Sequence, residues 1–156
     1  MERRTQQGRI QQGTRDKGQE PVNDCPRAPR KGDDISARLL DAVEGVRRLL
    51  PALQGDFAAK HVAAQLWRAV TGGGSNYEEA RGAESVADFV HKLRVATKAL
   101  GEAVYWLGVV RRSDWLRPGA VDALDALDAL DALLGELDQL IAILVTSART
   151  AKARAR

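Results

Sequence analysis

Side chains able to do chemistry are sparse in this sequence and poorly spaced for one another. The closest approach to a metal-ligand motif is Asp88-Phe-Val-His91. Di-iron carboxylate bundles need Glu-x-x-His elements on facing helices. Here there is one copy, with Asp in place of Glu, and His61 has no carboxylate three positions before it. No metal or other cofactor is therefore expected, and His91 is expected to pair with Asp88 or Glu84 on a helix surface. Ser75 and Ser85 lack evident His and acid partners for nucleophilic catalysis. Glu78 and Glu79 are adjacent, so on a helix they diverge by about 100° and cannot act on one atom. Cys25 is the lone cysteine, which rules out an intramolecular disulfide and a structural zinc site. A reduced, cytoplasmic, non-catalytic protein is the expectation.

Charge is the remaining chemical resource. Net charge is +3 with a pI near 9.3, and its distribution matters more than its total. No acid follows Asp138, so Arg149, Lys152, Arg154 and Arg156 end the chain uncompensated. They either complement a helix dipole or contact RNA phosphates. Residues 1–33 hold eight Lys/Arg against five Asp/Glu and, as large aliphatics, only Ile10 and Val22. Such a segment buries too little apolar surface to offset its ordering entropy, so it reads as a disordered, solvated tail that could also meet nucleic acid. Met1 is the only methionine, which also fits a start codon placed too far upstream.

The elements that must position these residues are helices. Of the 156 residues, 44% are hydrophobic and 29% charged, and only 4% are aromatic. Ala, Leu and Val dominate the apolar content, and Ala and Leu lose little side-chain freedom in a helix. No window nears 18 uninterrupted apolar residues, and the N-terminus has no apolar signal-peptide core.

A first helix is expected from the capping pair Asp33-Asp34, with Ile35, Leu39, Ala42, Val46, Leu49 and Leu53 as its buried stripe and Pro51 near its end. A second starts at an Asp56 cap, with Phe57 at its entrance and Val62, Leu66, Ala69 and Val70 on its apolar face. Each Gly costs about 1 kcal/mol in a helix interior, so Gly72-Gly73-Gly74 should kink or end it before helix resumes to Gly82. The run is not a Walker loop, for it lacks the following Lys-Ser/Thr.

The third helix is the clearest. Phe89, Leu93, Ala96, Leu100, Ala103, Leu107 and Val110 form a sustained 4-3-4-3 stripe. A thinner line of Val95, Ala99, Trp106 and Val109 predicts a further contact, with Val95, Tyr105, Trp106 and Val109 as candidate oligomer-interface residues. Its cations Lys92, Arg94, Lys98, Arg111 and Arg112 read as scattered surface charge. The fourth helix should open at Pro118 and cross an Asp-Ala-Leu repeat whose period of three drifts around the axis. That drift makes Asp122, Asp125, Asp128 and Asp131 a solvated spiral. A straighter register follows in Leu127, Leu130, Leu134, Leu137, Ile141 and Leu144. The expected fold is an all-α, antiparallel up-and-down four-helix bundle over 34–150, flanked by the 1–33 tail and a basic 151–156 tail.

Three segments carry a family resemblance: Arg68-Ala-Val-Thr-Gly-Gly-Gly-Ser-Asn-Tyr-Glu-Glu-Ala-Arg81, Glu84-Ser-Val-Ala-Asp-Phe-Val-His-Lys-Leu93 and Glu102-Ala-Val-Tyr-Trp-Leu107. Together they resemble the bacterial four-helix bundle family, also called the 23S rRNA-intervening-sequence proteins, over about residues 34–150. The resemblance implies a ring-like homo-oligomer, typically a pentamer. It also implies kinship with the accessory proteins of diversity-generating retroelements, which engage RNA and a reverse transcriptase through a basic barrel. The sequence departs from the family at the glycine run and in its acidic fourth helix.

Two functions follow as expectations. One is an oligomeric binding module that meets RNA through basic surfaces, at Arg149, Lys152, Arg154 and Arg156. The alternative is a protein–protein scaffold without nucleic-acid contact, favoured by the acidic helix.

Overall fold

The structure, a computed structural model, describes residues 28–116 and 123–155, with the backbone alone at 123–125. Four helices follow in order: α1 (Asp33–Leu49), α2 (Phe57–Arg81), α3 (Val86–Arg112) and α4 (Ala123–Arg154), with a 3-10 turn (Leu50–Leu53) after α1. Helix α1 packs on α2 and α4, and α3 packs on α2 and α4. Connections this short turn successive helices antiparallel. The expected four-helix architecture is therefore the observed one. The expected tail 1–33 falls mostly outside the described residues, as do Asp122 and Arg156. Among the described residues no helix is long and apolar enough to cross a membrane.

Local chemistry explains most of the boundaries. Asp56 caps α2 by accepting the Ala59 N–H at 2.8 Å, and Ser85 caps α3 by accepting the Asp88 N–H at 3.1 Å. Pro51 sits in the 3-10 turn that closes α1. The start of α1 differs from expectation: its N-cap is Gly32, at φ +87°, a left-handed conformation that an L side chain resists. Asp33 lies one residue inside, where its carboxylate accepts the Arg30 N–H at 2.6 Å and meets Arg81. The buried Tyr77 hydroxyl donates to the Gly32 carbonyl at 3.1 Å, pinning this turn to α2.

The core is aliphatic. All six expected α1 and turn positions are buried, as are Leu93, Ala96, Leu100, Ala103, Leu107 and Val110 of α3. Phe89 is a correction: it is only partly buried, and Val90 is buried beside it. Phe89 lines an opening that Tyr77 and Ile143 also line.

Two further corrections concern helix continuity and register. Helix α2 runs unbroken through Gly72-Gly73-Gly74. A Cβ on Gly73 would lie 2.7 Å from Leu100 Cγ of α3, so the bare Cα is the notch that seats Leu100. Packing of an amphipathic face outweighs intrinsic propensity here. In α4 the buried positions are Leu130, Leu133, Leu137, Leu140, Leu144 and Ala148. Leu134 and Ile141 are only partly buried, and Leu127 is 37% exposed. In this register Leu133 packs against Gly45 of α1, its Cδ1 lying 3.3 Å from where a Cβ on that glycine would be.

Candidate nucleic-acid interface

At the end of the bundle where α3 begins and α4 finishes, a groove of about 510 Å³ runs between the two helices. Val95, Val145 and Ala148 give it an apolar floor, and His91, Arg94, Lys98, Arg149 and Lys152 give it a basic rim. No carboxylate lines it. The antiparallel pairing is what joins these residues, since Arg94 and Arg149 are far apart in sequence.

Ion pairs neutralise several of the other cations. Lys92 reaches Glu79 of α2, Arg111 holds Asp131 of α4 at 2.6 Å, and Arg38 holds Glu136 at 2.6 Å. Arg47 and Arg48 share Glu44, while Arg81 joins Asp33 and Glu78. These contacts lower the carboxyl pKa of Asp131 and Glu136, chiefly through the hydrogen bonds from Arg111 and Arg38. Among the described residues, Arg94, Lys98, Arg149, Lys152 and Arg154 join no ion pair. The groove therefore holds cations that no internal partner neutralises.

The C-terminal cations stand on a helix. Helix α4 continues to Arg154, held by the buried Ala148 and the partly buried Ala151. The stretch expected as a tail from residue 151 is thus, through Arg154, the last turn of α4. Arg149 and Lys152 reach the groove, Arg154 is exposed beyond it, and Arg156 lies outside the described residues. His91 is a correction: it makes no hydrogen bond to Asp88 or Glu84, and it lies exposed on the groove rim. The Asp spiral also needs amendment, because Asp131 is engaged by Arg111.

The candidate interface residues differ in exposure. Val95 belongs to the groove floor. Trp106 and Val109 are partly buried against the core, and the Trp106 indole N–H donates to Glu102 at 3.3 Å. Tyr105 is 63% exposed. Rings cluster across the α2–α3 surface: Phe57 stacks on His61, His61 meets Trp106 edge-on, and Trp106 meets Tyr105 edge-on at 5.0 Å. Phe57, at 86% exposure, and Tyr105 are the outer ends of this ridge.

Sequence reasoning missed Arg94 and Lys98 as partners of Arg149 and Lys152. A signal existed, since no acid occurs between Asp88 and Glu102, just as none follows Asp138. Nothing in the linear sequence says that these two acid-free windows lie side by side. Among the described residues no three His, Cys, Asp or Glu side chains gather as a metal set.

No protein-family model matches the chain, and neither does any curated protein. Among solved structures, the chain is similar to a protein of unknown function from the S23 ribosomal protein family of Bacteroides thetaiotaomicron. The two are 23% identical with a TM-score of 0.60, and the match covers 73% of this chain and 97% of that one. The likeness is one of fold: this chain shares the fold of that S23-family protein.

Proposed function

We propose that this protein is a non-enzymatic binding module that grips the phosphate backbone of RNA in the α3–α4 groove. The observation that carries the reading is the set of four unpaired cations, Arg94, Lys98, Arg149 and Lys152, around one groove without a carboxylate. Arg and Lys are the side chains that hold phosphates, Arg through a planar fork and Lys as a point charge. The ribosomal family name of the structural neighbour points the same way. A groove of cations over alkyl carbon recognises backbone charge, so binding should depend little on sequence.

Salt titration tests this. Each phosphate neutralised releases counterions, so log affinity falls linearly with log salt at about −0.7 to −0.9 per contact. Replacing all four cations with glutamine should flatten the slope by about three. An unchanged slope would remove the groove from the interface. No binding by the full chain at low salt would favour the protein scaffold instead.

Self-assembly is the second part of the reading, as the resemblance to ring-forming relatives implies. Exposed Leu40 on α1 and Phe57 and Trp67 on α2 support it, because aromatic residues are enriched where proteins meet. A ring would repeat the groove on every subunit and make weak contacts multivalent. Light scattering that returned a monomer at micromolar concentration would refute assembly.

A further inference from the structure

We infer that the nucleic acid this protein takes is single-stranded, and that it runs from the groove along the outer face of α3 with a base stacked on Tyr105. This rests on the groove reading above and specifies its ligand.

Along α3 each residue advances the side-chain direction by about 100° and the axis by about 1.5 Å. Arg94, Lys98, Gly101 and Arg112 therefore lie within about 40° of Tyr105 around the helix. Arg94 and Lys98 are already groove residues, so one stripe leaves the groove and continues toward the far end of α3. It spans about 27 Å from Arg94 to Arg112. Neither Arg94, Lys98 nor Arg112 joins an ion pair among the described residues. Arg112 donates only to the Gly108 carbonyl of its own helix, at 2.9 Å. The nearest acid on α3 is Glu102, about 60° round the helix, where it receives the Trp106 indole N–H.

Within this cationic stripe stands one ring. Tyr105 is 63% exposed and is braced edge-on by Trp106, which holds the ring in place while leaving much of its surface open. One turn before it, a Cβ on Gly101 would meet nothing within 4 Å, so the surface beside the ring is bare. Cations flanking an exposed aromatic are the two components of single-strand sites, which track the backbone by charge and stack bases on rings. A duplex keeps its bases stacked inside, so it could use the cations but not the tyrosine.

The test measures fluorescence anisotropy of the full chain with a 12-nucleotide RNA strand and with a 12-base-pair RNA duplex at one salt concentration. The expected result is tighter binding of the single strand. Tyr105→Ala should weaken the strand about 5- to 150-fold and leave the duplex unchanged, while Tyr105→Phe should retain wild-type affinity. Arg94→Gln with Lys98→Gln should weaken both ligands. If Tyr105→Ala leaves strand affinity unchanged while the double glutamine variant weakens both, the groove reading survives and the stacking inference is overturned. If Tyr105→Ala instead changes the oligomeric state, the ring belongs to a subunit contact and the inference is likewise overturned. If neither RNA binds at low salt, the groove reading itself fails. The thermal melt of Tyr105→Ala should match wild type, because the ring is largely outside the core.

Discussion

Replacing Gly73 or Gly74 with alanine should move stability in opposite directions, although the two are neighbours in one helix. Alanine is about 1 kcal/mol better than glycine in a helix interior, and that gain is common to both variants. At Gly74 the new Cβ meets nothing within 4 Å, so the gain should stand. At Gly73 it would lie 2.7 Å from Leu100 Cγ, a separation that forces α2, α3 or the leucine to shift. Overpacking of this kind costs about 1–3 kcal/mol. Because propensity cancels within the pair, the difference between the variants reports that steric cost alone. At about 4 °C per kcal/mol for a domain of this size, Gly74→Ala should melt about 4–12 °C above Gly73→Ala. A double-mutant cycle sharpens the point. In a Leu100→Ala background the obstruction is gone, and Gly73→Ala should turn from damaging to neutral or stabilising. Equal melting of the two single variants, with no coupling to Leu100, would show that α2 and α3 do not meet at this notch.

Further outcomes follow from other parts of the bundle. Leu100→Ala alone should cost about 2–5 kcal/mol in denaturant unfolding, since the side chain is fully buried; a near-wild-type midpoint would refute the α3 register. The Glu136 carboxyl is held below its ordinary pKa chiefly by the hydrogen bond from Arg38. Its contribution is therefore present above the unfolded value and lost as pH falls through the folded one. Thermal melts from pH 7 down to pH 3 should show a smaller acid loss for Glu136→Gln than for wild type, and identical pH profiles would remove the pair from the ledger of acid stability. Phe57→Ser should leave the monomer fold intact, because the ring is 86% exposed, yet reduce the oligomer mass in light scattering; an oligomer unchanged by it is held elsewhere. Replacing Arg149, Lys152 and Arg154 with glutamine should weaken RNA binding and its salt dependence without lowering the melting temperature substantially. This is a cleaner test than deleting 149–156, because deletion also removes the partly buried Ala151.

Much of the fold was legible because it is local. The stripes on α1 and α3, the Asp56 cap and the Pro51 stop all follow from spacing and side-chain chemistry within a few residues of one another. The misreadings lie where a second helix decides. A helix with apolar residues at both Leu133/Leu140 and Leu134/Ile141 can face its partners in two registers, and in the structure Leu133 and Leu140 are the buried pair, with Leu133 packed against Gly45 of α1. The glycine run reads as a break from propensity alone, yet Leu100 of α3 fills the space that makes Gly73 useful.

The candidate site divides in the same way. By itself the sequence determined that the C-terminal cations have no local acid to quench them, since none follows Asp138. It could not show that α4 stays helical to Arg154, nor that Arg94 and Lys98 stand opposite Arg149 and Lys152 while Lys92 and Arg111 are consumed by Glu79 and Asp131. Periodicity places a side chain on its own helix, but its partner is set by the direction and rotation of the neighbouring helix. Those are fixed by core packing across the whole bundle, and only the tertiary structure decides them.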